Sequence, residues 1–231
     1  MTRPDCTNDG VWLIVPAFNE GPALAAALTA LCDRHRHVVV VDDGSVDDTP
    51  RVAGRFPVHL LRHAINLGQG AALQTGLDYA LAQGAEILVT FDADGQHVVG
   101  DIDVLIAPIR EGRADVVLGS RFLGSAVGLP TVRRLVLKAG VVFTRLLSHV
   151  HVTDTHNGLR AFSRAAAEQI CIQENRMAHA SEILDQIHRR RLRYCEVPVR
   201  IQYSRATLDK GQSSWAALKI ACQFLLGRIL R

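Results

Sequence analysis

The stretch from Glu86 to Gln96, EILVTFDADGQ, predicts the fold class because a buried strand leads directly into two carboxylates. In open α/β sheets, ligands bind at the carboxyl ends of such strands. Asp92, Asp94 and Gln96 follow at alternating positions and offer the hard oxygen ligands that Mg²⁺ or Mn²⁺ prefers. A cation held there can neutralise a diphosphate and help it leave. Taken alone, Asp94-Gly95 also fits a simple solvated turn.

Strand-like and helix-like segments alternate through the first half of the chain. Such alternation predicts parallel βαβ units, and so an α/β fold with a mostly parallel central sheet flanked by helices. Right-handed crossovers then bring Asp42, Asp43, Asp92 and Asp94 to one edge of the sheet. The predicted strands are 11–16, 37–41, 58–61, 86–91, 115–119 and 196–203, and the predicted helices include 23–31, 70–81, 102–110 (broken or bent near Pro108) and 178–190.

Composition narrows the class of protein. The 231 residues are 48% hydrophobic and 21% charged, which is ordinary for a soluble globular domain. Five dispersed cysteines without Cys-x-x-Cys spacing argue against a disulfide framework or a zinc site and indicate a reducing compartment. We expect no signal peptide, because the first residues lack an apolar core, and no membrane-spanning segment.

Charge is unevenly distributed along the chain. Residues 188–231 hold ten Lys/Arg and two Asp/Glu, a net +8, whereas residues 1–187 hold 16 and 21, a net −5. A basic C-terminal part indicates an anionic partner, for which nucleic acid, acidic lipid and a phosphate-bearing substrate all qualify. Nucleic acid is disfavoured because aromatic interleaving and a recognised motif are lacking. A Rossmann dehydrogenase is disfavoured because Gly-x-Gly-x-x-Gly does not follow the first strand.

Four blocks together resemble a known family: VPAFNE (15–20), VDDGSVDDT (41–49), NLGQG (66–70) and FDADGQH (91–97). In order and spacing they are similar to the family 2 glycosyltransferases of the GT-A fold, and most similar to the dolichol-phosphate and polyprenyl-phosphate mannosyl- and glucosyltransferases. The resemblance implies an inverting transferase that uses a GDP- or UDP-sugar and Mg²⁺ or Mn²⁺. It covers residues 11 to 213.

The resemblance also implies site residues on the donor side. Asp92 would contact the ribose or the metal, and Asp94 and Gln96 would bind the metal directly. Asp42 or Asp43 would hold the base or ribose. The full set implied for the nucleotide sugar is Pro16, Phe18, Glu20, Asp42, Asp43, Gly70, Asp92 and Ala93.

On the acceptor side, the block GSRF (119–122) resembles one whose arginine, here Arg121, faces phosphates. Either Arg133 or Arg134 falls where a second acceptor-binding arginine is expected. Guanidinium groups suit this role because they bind phosphate oxygens with a rigid fork and stay charged. The implied acceptor-binding set is Arg121, Asp154, Asn157, Glu182, Arg205 and Lys210, and the implied catalytic set is Arg121, Asp94, Arg133 and Arg134.

A phosphate nucleophile is already deprotonated near pH 7, so catalysis would come from positioning and charge neutralisation. A sugar hydroxyl would instead need a general base, for which Asp154 and Glu182 are the candidates. Three functions therefore stay open: transfer to a polyprenyl phosphate, transfer to a saccharide or small molecule, and nucleotide-sugar binding without turnover.

The expected organisation is an N-terminal tail (1–10), a transferase domain (11–213) and a C-terminal amphipathic helix (214–231). Cationic apolar segments at 131–150 and 214–230 suit an anionic membrane surface, or packing on the sheet or at a dimer interface. We expect a cytoplasmic protein, peripheral at the cytoplasmic face of the membrane. A homodimer or a separate membrane partner is compatible with these features.

Overall fold

The computed structural model describes residues 9–131 and 150–203, together with residues 134, 137 and 141 between them. The strands are β1 Val11–Ala17, β2 His37–Asp42, β3 His59–Arg62, β4 Ile87–Thr90, β5 Val116–Val127, β6 Arg160–Ser163 and β7 Tyr194–Gln202. The helices in these ranges, numbered in chain order, are α1 Gly21–Cys32, α2 Thr49–Ala53, α3 Gln69–Ala82, α4 Asp101–Arg110, α5 Arg164–Ala167 and α6 His179–Arg189.

The strands form a seven-stranded sheet in the order β3-β2-β1-β4-β6-β5-β7. Strands β1, β2, β3 and β4 pair in parallel, as do β5 and β7. Strand β6 runs antiparallel to both of its neighbours, β4 and β5. The prediction of a mostly parallel sheet flanked by helices is therefore confirmed.

Two apolar clusters cover the two faces of the sheet. In β1, Leu13 and Val15 face the cluster that contains residues of α1 and α4. Trp12 and Ile14 point the other way, into the cluster that contains residues of α3 and α6. This alternation follows from the period of two in a strand. It explains why the first strand is apolar throughout, as a strand buried on both faces must be.

Besides the unpredicted one-turn helix α5, three elements differ from the sequence prediction. Helix α4 is not broken at Pro108, which lies in its last turn, where a missing N–H removes only one helical hydrogen bond. Strand β5 continues from Gly119 to Val127 through an irregularity between Ser120 and Ser125. Strand β6 was not predicted, because its four residues, RAFS, carry too short a pattern to be recognised.

The predicted helix 131–150 lies largely outside the described residues, and the predicted helix 214–230 lies wholly outside them. Within the described part of the chain, no helix is long and apolar enough to cross a bilayer.

Candidate active site

The site lies at the carboxyl edge of the parallel strands. Strand β1 leads to Glu20, β2 ends at Asp42, and β4 leads to Asp92. The first two strand ends are locked together, since Ala17 pairs with Asp42 and its carbonyl accepts the N–H of Asp43 at 2.9 Å. The β4 end joins them through the N–H of Phe91, which donates to the Ile14 carbonyl at 2.9 Å. The predicted convergence of these acids at one sheet edge is therefore present.

Asp92 is held in place by contacts to both of its carboxylate oxygens. Gln69 Nε2 donates to Oδ1 at 2.9 Å, and His97 Nε2 lies 3.1 Å from Oδ2. Burial alone raises the pKa of Asp92, but the hydrogen bond with His97 and the neighbouring His97, His179 and Arg160 groups outweigh it and lower that pKa. Asp92 is therefore a fixed, ionised carboxylate.

Asp94 lies in the opposite electrostatic situation. Burial raises its pKa, and the Asp92 carboxylate raises it further. The Gln96 N–H and the neighbouring His97 lower it, and Glu20 adds a smaller raising effect, so the pKa is raised overall. Gln96 donates from its backbone N–H to Oδ1 at 3.0 Å and from Nε2 to Oδ2 at 2.7 Å. Unbalanced negative charge therefore accumulates around Asp94, which is the environment that a cation would relieve.

The protein alone supplies an incomplete metal site. Among the described residues, no group of three or more His, Cys, Asp or Glu side chains is placed to hold a metal ion. Mg²⁺ at nucleotide sites nevertheless needs only one or two carboxylates, because substrate phosphates and water complete its coordination. Asp92, Asp94 and the amide oxygen of Gln96 fit that chemistry, because they offer oxygen donors within one five-residue segment and the two carboxylates repel each other.

Asp42 and Asp43, at the carboxyl end of β2, bind groups of the protein itself. Asp43 accepts the N–H groups of Leu67 at 2.9 Å and Gly68 at 2.7 Å, and it contacts His63 Nδ1 at 2.7 Å. Asp42 is buried, accepts the Ser45 N–H at 3.1 Å and forms an ion pair with Arg62 at 3.0 Å, outside hydrogen-bond geometry. Both acids thus shape the loops around the predicted nucleotide pocket, and their contact with a base stays a prediction.

A close approach of two loops explains Gly44, which follows these acids. Its φ is +73°, and a Cβ there would lie 2.8 Å from the Asn66 nitrogen. The neighbouring loop after β1 is fixed in turn, since the N–H of Asn19 donates to Ser45 Oγ and that of Glu20 to Thr49 Oγ1, both at 2.9 Å.

The other donor-side candidates differ in exposure. Phe18 is 43% exposed, whereas Pro16, in β1, and Ala93, in the turn after β4, are buried. Gly70 donates its N–H to the Asn175 carbonyl at 2.8 Å. Phe18 is therefore the apolar side chain of this group that a nucleotide could contact.

Arg121 lies at the far side of the edge, on β5. Its Nε donates to Asp154 Oδ2 at 2.6 Å, and its Nη1 donates to Tyr203 Oη. Burial lowers the pKa of Arg121, but the Asp154 carboxylate and the Tyr203 hydroxyl raise it overall. Sequence reasoning missed Glu196 on β7, which accepts the N–H groups of Thr153 and Asp154 and so fixes the Asp154 loop.

A buried basic group was also missed. Arg160, at the start of β6, donates to the backbone carbonyls of Asn157 and Thr155, both at 3.1 Å, and burial lowers its pKa to about 10. Burial and the Arg160 charge lower the pKa of His179 to about 4. A charged Arg160 near Asp92 therefore supplies positive potential beneath the site.

The remaining acceptor-side candidates occupy different surroundings. Asn157 is buried, and its Nδ2 has no hydrogen-bond partner among the described residues. Glu182 is buried and turned toward the backbone of residues 173–174. Arg134 is exposed. Arg133, Arg205 and Lys210 lie outside the described residues, so their roles stay predictions.

Comparison with known proteins places the chain in a family. Residues 12–171 match the family described as Glycosyl transferase family 2. Over 230 residues the chain is 33% identical to an uncharacterized protein of Methanocaldococcus jannaschii, covering 97% of this chain and 95% of that protein. It is 31% identical over 246 residues to the UDP-N-acetylglucosamine–dolichyl-phosphate N-acetylglucosaminyltransferase of Methanococcus voltae, covering 95% and 98%.

A relative matched over a shorter length is the polyprenol monophosphomannose synthase of Mycolicibacterium smegmatis, 34% identical over 169 residues that cover 68% of this chain and 63% of that protein. The fold is shared with glucosyl-3-phosphoglycerate synthase from Mycobacterium tuberculosis in complex with Mn²⁺ and UDP-glucose, with a TM-score of 0.70, 21% identity, and coverage of 94% of this chain and 78% of that one. The chain therefore belongs to glycosyl transferase family 2 and is a glycosyltransferase with the GT-A fold.

Proposed function

We propose that this protein transfers a sugar from a GDP- or UDP-sugar to a polyprenyl or dolichyl phosphate. The relatives named for a lipid phosphate acceptor support this acceptor class. Mannose and glucose are the sugars that the sequence predicts, and N-acetylglucosamine joins them because one relative is named as its transferase. The donor base and the sugar are therefore the variables that an experiment must scan.

The main support for a phosphate acceptor is that both candidate general bases are engaged in contacts within the protein. Asp154 is 4% exposed and bound to Arg121, and Glu182 is 4% exposed and turned toward backbone N–H groups. Each carboxylate is already engaged by donors of the protein itself, so neither is available to take a proton from an incoming hydroxyl. A phosphate acceptor needs no such base, because its oxygen is already ionised near neutral pH.

On the donor side, Asp92, Asp94 and Gln96 would hold Mg²⁺ or Mn²⁺ with the diphosphate. When bound, the cation supplies charge neutralisation for the leaving nucleoside diphosphate. The chain's own contribution is orientation, because Gln69 and His97 fix the Asp92 carboxylate from both sides. Preorganised groups of this kind stabilise developing charge without having to rearrange during the reaction.

On the acceptor side, Arg121 would draw the lipid phosphate toward the sugar. Its side chain is 8% exposed, and its guanidinium is oriented by Asp154 and Tyr203, so it is held in place before the substrate arrives. The Nδ2 group of Asn157 supports a polar substrate contact, because it is buried without a partner among the described residues. A substrate oxygen would offset the cost of that unpaired donor.

The lipid acceptor implies work at a membrane surface. We assign the protein to the cytoplasmic face as a peripheral protein, supported by the net +8 of residues 188–231. Basic segments are attracted to anionic lipids by about 1 kcal/mol per Lys or Arg near the surface. Flotation with vesicles of anionic and of neutral lipid tests the contact with an anionic membrane, and equal recovery with both would refute an electrostatic contact.

Release of nucleoside diphosphate tests the acceptor class. The assay contains Mn²⁺ or Mg²⁺, a panel of GDP- and UDP-sugars, and a short-chain polyprenyl phosphate or none. We expect release that depends on the lipid phosphate with one donor. Release that instead depends on an added saccharide would favour the saccharide-acceptor alternative, and donor binding without any release would favour the binding module.

A further inference from the structure

A short segment, residues 171–175, bridges helices α3 and α6, and we name it the strap. From α3, Gln74 Oε1 accepts the Ile172 N–H at 2.6 Å. From α6, Gln186 binds Cys171 twice, accepting its N–H at 2.9 Å and donating to its carbonyl at 2.6 Å. The strap is thus attached at its first two residues to both helices.

Glu182 attaches the middle of the strap. Its Oε2 accepts the N–H groups of Gln173 at 3.0 Å and Glu174 at 2.8 Å. The residue is only 4% exposed. A carboxylate is costly to bury unless hydrogen bonds compensate it, and bonds to an ionised acceptor are stronger than neutral ones. The strap backbone provides that compensation.

The far end of the strap meets the N-terminus of α3. The Asn175 carbonyl accepts the N–H of Gly70 at 2.8 Å and that of Ala71 at 3.4 Å. These are first-turn donors, which a helix cannot satisfy internally. Close approach requires glycine, since a Cβ at Gly70 would lie 3.1 Å from the carbonyl carbons of both Glu174 and Asn175 and closer still to the Glu174 oxygen.

The first residue of α3 then reaches the site. Gln69 donates from Nε2 to Asp92 Oδ1 at 2.9 Å. Its backbone lies beside Gly70, the residue that the strap holds. Hydrogen bonds, joined by the peptide links 174–175 and 69–70, therefore connect Glu182 through the strap to Gln69 and the Asp92 carboxylate.

We propose that Glu182 is a positioning residue that acts through the strap and Gln69 to fix Asp92, and that it is not a general base. This inference rests on the proposed function only in that Asp92 is taken to help bind the nucleotide sugar. The role requires an acceptor oxygen at the Oε2 position and the full reach of the side chain. It does not require a group that takes up a proton.

Two conservative variants separate positioning from base catalysis. Glu182→Gln keeps the reach and one acceptor oxygen, so binding of UDP or GDP with Mn²⁺, followed by calorimetry, should stay within a few-fold of wild type. Glu182→Asp keeps a carboxylate but is one methylene shorter, so it should bind about 10- to 100-fold more weakly, the range expected when an outer-shell partner is lost. In turnover, a general base predicts the reverse order, with Asp more active than Gln, and that order would overturn the proposal.

The path through Gln69 is tested by a double-mutant cycle. If Glu182 acts through Gln69, Glu182→Asp should weaken nucleotide binding no further in a Gln69→Ala background. Additive losses would overturn the path. Asp185→Asn, on the same helix but paired with Arg189 at 2.8 Å, is the matched control and should bind as wild type does.

Hydrogen exchange of the free protein decides the proposal without any substrate. Amides of residues 69–71 should exchange faster in Glu182→Asp than in wild type and in Glu182→Gln. Unchanged exchange in Glu182→Asp would overturn the proposal whatever the nucleotide data show. Absence of nucleotide binding by the wild type would count against the proposed function alone, because the exchange result stands apart from it.

Discussion

Gly158→Ala should misplace Asp92 while leaving the backbone unstrained. Gly158 does not have a positive φ, so alanine is allowed there. The new Cβ would, however, lie 2.5 Å from Asp92 Cγ and 2.6 Å from its Oδ1, and closest of all to Oδ2. Ordinary van der Waals contact begins near 3.4 Å, so the Cγ atom has to retreat by about 0.9 Å and the closer Oδ2 atom by more.

That retreat exceeds what the two hydrogen bonds on Asp92 tolerate. The bonds from Gln69 and His97 are 2.9 and 3.1 Å long, and N–H···O distances span only about 0.5 Å. A misplacement of about 1 Å in a catalytic arrangement can cost about 100-fold in rate. We therefore expect turnover near one hundredth of wild type, which corresponds to about 2.7 kcal/mol of transition-state stabilisation.

Steady-state release of nucleoside diphosphate measures the effect, and a thermal unfolding midpoint shows whether the variant is folded. Gly100→Ala is the matched control, because Gly100 has φ −63° and the nearest atom to its new Cβ is Arg200 Nη2, at 3.5 Å. Turnover of Gly158→Ala within twofold of wild type would show that the position of the Asp92 carboxylate does not limit the reaction. Equal losses in both variants would show that the effect is not specific to Asp92.

Three other perturbations have defined outcomes. His179 has a pKa of about 4 in the folded protein against 6.5 ordinarily, so the unfolded state takes up the proton first and about 2 kcal/mol of stability is lost between pH 7 and pH 5. In urea titrations His179→Asn should show a smaller loss, and equal losses in both proteins would contradict this. Asp94→Asn should abolish metal-dependent turnover yet raise the thermal unfolding midpoint. It removes a carboxylate whose pKa is raised by burial and by Asp92, and whose charge is therefore destabilising. A lower midpoint would contradict this electrostatic explanation. Arg121→Lys should raise KM for the lipid phosphate about tenfold while donor KM stays constant, because lysine lacks the rigid fork, and an unchanged lipid KM would remove Arg121 from acceptor binding.

The sequence predicts the parallel half of the sheet well because that half is built from local patterns. Each strand there is an apolar run followed by turn residues, and the acids stand at the ends of β2 and β4. Their convergence follows from the handedness of the crossovers and needs no long-range information. The sequence alone therefore predicts this edge of the sheet.

The acceptor side was harder to predict because its organisation depends on contacts distant in sequence. Strand β6 is placed by antiparallel pairing with β4 and β5 and has no local signature. Glu196 fixes a loop 42 residues away, and Arg160 contacts the Ala180 carbonyl 20 residues away. The family resemblance predicts Glu182 near the acceptor, but the direction of its side chain toward the strap is visible only in the structure.

Transfer of a sugar to a lipid phosphate is best tested by detecting the glycolipid product itself. Purified protein, Mn²⁺ and a radiolabelled nucleotide sugar would be incubated with a short polyprenyl phosphate, and label would be followed into the organic phase. We expect lipid-linked label with at least one GDP- or UDP-sugar, and loss of that label in Asp94→Asn. Label that stays in the aqueous phase with every donor, while a saccharide or small-molecule acceptor becomes labelled, would contradict it.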